Sequence, residues 1–149
     1  MTAKLFTEFL GVFFLVLVVA LTGNPIAIGT VLIVVVFMGA HISWAHYNPA
    51  VSLGLWMQKK LSMSEMVQYR IAQLLWWISA VLIAWYLTWV PLLVAMGEWV
   101  TYGQAVLVEV LFTALLVAVI FNVAIHEKTS NNQFYGLAIG FTILAAAYA

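Results

Sequence analysis

Ala40-His41-Ile42-Ser43-Trp44-Ala45-His46-Tyr47-Asn48-Pro49-Ala50-Val51 is the stretch whose reading decides the fold. Asn48 is a favourable helix N-cap, and Pro49 suits the first helical position, where its missing N–H costs nothing. The apolar run that follows reaches Met57 and stops at Lys59 and Lys60. A bilayer core about 30 Å thick needs roughly 20 helical residues to cross, so Asn48 to Met57 is too short to span it. Its immediate predecessor, Ile26 to about Ser43, is long enough. A short helix placed directly after a span, and ending at two lysines, reads as one that enters the membrane and turns back.

The rest of the chain supports a membrane setting. Of 149 residues, 66% are hydrophobic and only 7% are charged, where a soluble domain carries about a quarter charged. Besides Ile26 to Ser43, the apolar stretches are Leu5 to Leu21, about Val67 to Val90, Ala105 to Ile125 and Phe134 to Ala149. Five spans and one re-entrant half-helix are therefore expected, in an all-α membrane fold. Lys4 precedes the first stretch and no small-residue cleavage pattern follows it, so that stretch reads as a retained span. Zero net charge without a basic cluster argues against nucleic acid. The lack of cysteine excludes disulfides and thiolate metal sites.

Charge fixes the direction. With a cytoplasmic N-terminus, Lys4, Lys59, Lys60, Arg70 and Lys128 all fall on the inside, as the positive-inside rule requires. The outer connections, Thr22 to Pro25 and Val90 to Gln104, carry only Glu98. Trp85, Trp89, Trp99 and Tyr102 then lie near the outer interface, as interfacial anchors or as ordinary packing aromatics. Because the lysines are inside, the N-terminus of the half-helix points into the bilayer, with its free N–H groups and positive dipole end. Irregular backbone at that depth is tolerated where it is buried in protein or lines a watery path. A permeating molecule would meet the carbonyls of residues 43 to 47 and the amide of Asn48.

Two carboxylates mark an internal repeat. Thr7-Glu8-Phe9-Leu10-Gly11 and Val108-Glu109-Val110-Leu111-Phe112 each open a span with a lone Glu, the first from inside and the second from outside. Similar halves in opposite orientation are the mark of inverted-repeat transport proteins. Glu8 and Glu109 read either as proton carriers or as fixed acceptors for backbone N–H groups of buried irregular chain. The second reading is favoured, because neither has a basic partner within the membrane and no third carboxylate extends a relay. The boundaries of the two halves fall at about residues 1–90 and 104–149, within one domain.

Asn48-Pro49-Ala50, preceded by His41-Ile42-Ser43 and Ala45-His46 and followed by Val51-Ser52-Leu53-Gly54, resembles the first signature of the aquaporin and glycerol-facilitator family, the major intrinsic proteins. Glu8-Phe9-Leu10-Gly11, Ala72-Gln73 and Glu109 with Thr113 fit the same pattern. The resemblance implies a right-handed bundle of inverted repeats, assembled as a homotetramer in lipid with one pore per subunit and no cofactor. It further implies that Asn48 donates its side-chain N–H to the solute, that His46 helps shape the re-entrant loop, and that Glu8 and Glu109 brace the two loops. A complete member continues to a second Asn-Pro-Ala, an adjacent Arg and a sixth span, so a fragment or truncated product of a longer channel is expected. At the selectivity-filter positions this chain has Ile28 and Ala147, which implies a wider and less polar constriction. Trp44 and Trp76 stand where the family has Gly, read as positions of close helix contact.

Other chemistry is weakly supported. His41 and His46 are five apart, a poor spacing for one helical face, and no third metal ligand accompanies them. No Ser-His-Asp set, paired carboxylate or phosphate-cradling Gly pattern indicates an enzyme. The function expected is a passive channel for water or small neutral solutes such as glycerol. The alternative is a proton-coupled secondary transporter that uses Glu8 and Glu109.

Overall fold

Caps set the helix ends. In the computed structural model, which describes residues 1–92, 95–97, 99–129 and 131–149, helix α1 runs over Thr2–Thr22 and ends on Gly23 in the left-handed region, φ 55°. Glu98, part of the charge reading above, lies outside the described residues. Asn24 accepts hydrogen bonds from the Ile26 and Ala27 N–H groups at 2.9 and 3.2 Å, and Pro25 opens α2, Pro25–Ser43. The same dipeptide opens α3, Pro49–Met57, where the Asn48 side chain accepts from Ala50 N at 2.7 Å. Reciprocal capping boxes, Ser62 with Glu65 and Thr101 with Gln104, start α4 (Met63–Thr88) and α5 (Tyr102–Ile120). Both helices thus begin three or four residues before the apolar runs do, since caps and first turns are polar.

Helix α5 passes into a π-helical turn, Phe121–Ile125, before α6, Tyr135–Tyr148. Two of the turn's carbonyls are taken up by side chains. Asn132 donates its side-chain N–H to Val123 O at 2.6 Å, and the Thr129 hydroxyl donates to Asn122 O. The fourth span was expected to run to Ile125 with Glu109 as its one charge, and Asn122 is the one polar residue within the turn.

Four helices, α1, α2, α4 and α5 with its π turn, are long and apolar enough to cross a membrane, and α6 is a shorter apolar helix of 14 residues. Large apolar side chains such as Phe14, Val34, Leu74, Leu82, Leu107 and Leu111 cover the outside. Helices apolar on all faces at the protein surface call for a lipid solvent. The chain is an integral, multi-pass membrane protein.

Helix α1 packs against α2 and α4, α2 against α6, and α6 against α5. The short α3 lies between α4 and α5, which have no direct packing among the described residues. At the α2–α6 seam the contacts are reciprocal. A Cβ on Gly29 would stand 2.5 Å from Leu144 Cβ and 3.0 Å from Gly140 O, while one on Gly140 would meet Ile33 and stand 2.7 Å from Gly29 O. Each Gly thus faces the other Gly and the residue four beyond it, the small-residue contact that lets membrane helices approach closely.

One end of this bundle gathers the basic residues. Lys4 and Glu65 pair across the starts of α1 and α4 at 3.9 Å. Lys59 and Lys60 sit in the turn before α4, and Lys128 follows the π turn. Trp85, Trp89, Trp99 and Tyr102 are exposed at the opposite end.

The two Trp residues behave differently from each other. Trp44 is not in a helix crossing at all. It caps α2 with φ 70° and its side chain is exposed, so what Gly would supply here is backbone freedom rather than room. Trp76 does stand at the α1–α4 contact, where its ring meets Phe9 edge to face.

Candidate functional site: a re-entrant loop tied to one carboxylate

Between α2 and α3 the chain is irregular over residues 44–48. Trp44, Ala45 and Tyr47 all take left-handed backbone angles, φ 70°, 49° and 46°. For residues with a Cβ this costs about 1–2 kcal/mol each. The loop must therefore be held, and the holding group is Glu8 of α1, which is fully buried. Its Oε1 accepts from Ser43 Oγ and His46 N, both at 2.8 Å, and its Oε2 accepts from Tyr47 N at 2.8 Å and Gln73 Nε2 at 2.9 Å. All four neighbours are donors, and an ionised carboxylate is an acceptor-only group. Hydrogen bonds to a charged partner contribute about 1.5–3 kcal/mol each, enough together to offset the backbone cost and part of the carboxylate's desolvation.

A second layer ties this knot to α3 and α4. Gln73 Nε2 also donates to Ser52 Oγ at 3.2 Å, and His46 Nδ1 lies 3.0 Å from the same hydroxyl. Tyr69 donates its phenol proton to Ser43 O at 3.1 Å, and its ring flanks that of His46 with centroids 4.6 Å apart. Gln73 Oε1 is buried without a partner among the described residues. Tyr47 locks the loop from the other side. Its hydroxyl donates to Val35 O at 2.9 Å, and its ring fills the space left by Gly11 and Gly39. A Cβ on Gly11 would run into that ring, and one on Gly39 into its hydroxyl.

Of the residues singled out in the sequence, Glu8, Ser43 and His46 come together in this knot, and Asn48-Pro49-Ala50 begins α3 directly after it. The Asn48 Oδ1 is spent on Ala50 N, which leaves Nδ2 without a partner among the described residues. His41 stands apart on the last turn of α2. It is exposed beside a cavity of about 280 Å³, lined also by Trp44, Ala45, Leu55 and Tyr135.

Ile28 and Ala147 lie at the far end of the α2–α6 pair, Ile28 buried and Ala147 exposed. Glu109 has neither an ion pair nor a hydrogen bond among the described residues. It is exposed on a groove of about 630 Å³ between α3 and α5, with Ala50, Gly54 and Thr113 among its neighbours.

Tyr47 and Tyr69 were not singled out, and Ser52 and Gln73 entered only as parts of short resemblances. The signal for Gln73 was available: it is the one amide between Arg70 and Pro91, and an amide inside an apolar span needs a polar partner.

Comparison with known proteins identifies the family. The model of the family described as "Major intrinsic protein" matches residues 1–149. The chain is 33% identical over 125 residues to aquaporin AqpM of Methanothermobacter marburgensis, covering 79% of this chain and 50% of that protein. It is 31% identical over 155 residues to glycerol uptake facilitator protein-like 6 of Lactiplantibacillus plantarum, covering 94% and 71% respectively. With aquaporin-4 of Mus musculus it shares 31% over 134 residues, 80% of this chain and 42% of that protein. It spans about half the length of the AqpM relatives it matches. A loop held by a carboxylate, an Asn-Pro-capped half-helix and a family match along the whole chain agree: this chain belongs to the major intrinsic protein family.

Proposed function

We propose that the protein is a passive pore for water or small neutral solutes such as glycerol, with its N-terminus in the cytoplasm. The observation that supports this most is the half-helix α3, which begins inside the bundle at Asn48 directly after an irregular segment tied to Glu8. A solute passing in single file would take a hydrogen bond from Asn48 Nδ2 and give its own to the loop carbonyls. The N-terminal end of α3, opened by Pro49 and Ala50, would disfavour cations, protons included. In this reading Ser43 and His46 shape the loop, His41 stands at the mouth on the basic side, and Ile28 and Ala147 belong to a wide, weakly polar constriction at the other end. Glu8 braces this loop, and Glu109 is kept for the corresponding segment of the second half-repeat. The working assembly is a homotetramer in lipid. The names aquaporin and glycerol uptake facilitator belong to relatives, and both solute classes are carried over as candidates.

The four donors on Glu8 favour a brace over a proton carrier, since a carrier must release and rebind its proton without dismantling its surroundings. Flux into proteoliposomes tests the pore. Asn48→Asp is expected to slow water or glycerol equilibration and to admit cations, and unchanged flux and ion tightness would remove Asn48 from the path. Under an imposed pH gradient the solute should equilibrate without accumulating. Accumulation would instead establish proton coupling.

A further inference from the structure

Arg70 is out of place for a lipid-facing helix. It follows Met63, the first residue of α4, by seven positions, about 10 Å of helix at 1.5 Å per residue. It is exposed, and its neighbours Val67, Ile71 and Leu74 are exposed apolar residues. Among the described residues the single ion pair is Lys4 with Glu65, so the one acidic side chain of α4 is engaged elsewhere and Arg70 faces no carboxylate. An unpaired guanidinium inside a span is costly, and such residues mark functional positions.

Two further features give it a ligand chemistry. Beside Arg70 runs a groove of about 380 Å³ whose other walls are Pro49, Met66, Val67, Ile71 and Leu74, all apolar. The turn that leads into α4 carries Lys59 and Lys60, both exposed, at the end of the bundle toward which a snorkelling Arg head would rise. One cation on the groove, two more in the turn that leads into the same helix, and apolar walls match an amphiphile with an anionic head and hydrocarbon tails. The planar guanidinium can grip a phosphate through two parallel hydrogen bonds. Free phosphate would have no use for the groove, and a neutral lipid none for the guanidinium. We propose that Arg70 holds the phosphate of an anionic phospholipid in the leaflet facing the basic end, with an acyl chain in this groove.

Native mass spectrometry of the full chain, purified from vesicles of phosphatidylcholine with phosphatidylglycerol, tests this independently of any flux. The wild type is expected to keep phosphatidylglycerol in preference to phosphatidylcholine. Arg70→Gln should cut that retention about fivefold, the weight of one basic residue beside an anionic surface. Arg70→Lys should retain more than the Gln variant, and Lys128→Gln should leave retention unchanged. Because Arg70→Gln removes a charge from a lipid-facing helix, it is not expected to harm folding.

Equal retention in the wild type and Arg70→Gln would overturn the proposal. An equal loss in Lys128→Gln would reduce it to diffuse charge attraction and overturn it as well. Displacement of the lipid by inorganic phosphate would indicate a free-anion site instead. A protein dimer lost in Arg70→Gln, with lipid retention unaffected, would give the groove to a second copy.

Discussion

At the scale of single residues, the polar knot makes an uneven prediction for Glu8. In Glu8→Ala the Ser43 hydroxyl and two backbone N–H groups lose their acceptor in a buried site, and Gln73 keeps only Ser52 Oγ. Unsatisfied buried donors cost about 1–3 kcal/mol each, so this variant is expected not to yield a folded protein in detergent. Glu8→Gln should be milder. Its amide oxygen can still accept from Ser43 and His46, and Gln73 can turn its unpartnered Oε1 toward the new NH₂. The Tyr47 N–H is then left facing a donor, and the turned Gln73 gives up its bond to Ser52 Oγ, losses of about 1–3 kcal/mol each that thermal unfolding of the two purified variants would measure. Equal stability for both would mean that the carboxylate does not hold the loop. The sequence made Glu8 conspicuous because a lone carboxylate in an apolar span needs partners. It could not name them: Ser43, His46, Tyr47 and Gln73 are 35 to 65 positions away, and no local pattern reports such a distance. Trp44 shows the same limit in reverse, since a Gly position looks alike in sequence whether it supplies room or a left-handed angle.

Among the elements, the two Asn-Pro dipeptides are instructive. Asn24-Pro25 and Asn48-Pro49 use the same cap chemistry, yet one opens a full span at the molecule's edge and the other a nine-residue half-helix inside it. What separates them in sequence is the length of apolar chain that follows and the lysines at its end, which is why the half-helix was legible and its exact packing was not. Its packing depends on glycines. Gly11 and Gly39 leave the room that Tyr47 fills, so α1, α2 and the loop close on one aromatic ring. Gly11→Ala is therefore expected to unseat the loop and destabilise the protein by about 1–3 kcal/mol, the usual cost of overpacking. The double variant with Tyr47→Leu should recover part of that loss in the same thermal measurement. If Gly11→Ala alone were neutral, the ring would not be confined as described. The α2–α6 seam was missed for a plain reason: Gly29 and Gly140 each look like an ordinary Gly within a membrane helix until their helices are brought side by side.

For the molecule as a whole, the apolar runs give the helices, which were readable because the bilayer imposes them on composition directly, and the charge asymmetry supplies the direction proposed above. The absence of cysteine makes the direction easy to test. Gly103→Cys, at the start of α5, should react with a membrane-impermeant maleimide applied to intact cells. Asn131→Cys, at the opposite end, should react only after permeabilisation. The reverse pattern would invert the topology and put the basic end outside. The location of Glu8's partners also bears on synthesis. Among the described residues every group that donates to it comes from residues 43 to 73, so the ligature needs nothing that is translated after α4. The most strained stretch of the chain therefore draws its polar anchor from the first half alone, and α5 and α6 add apolar packing through Leu116, Ile120 and Ile139.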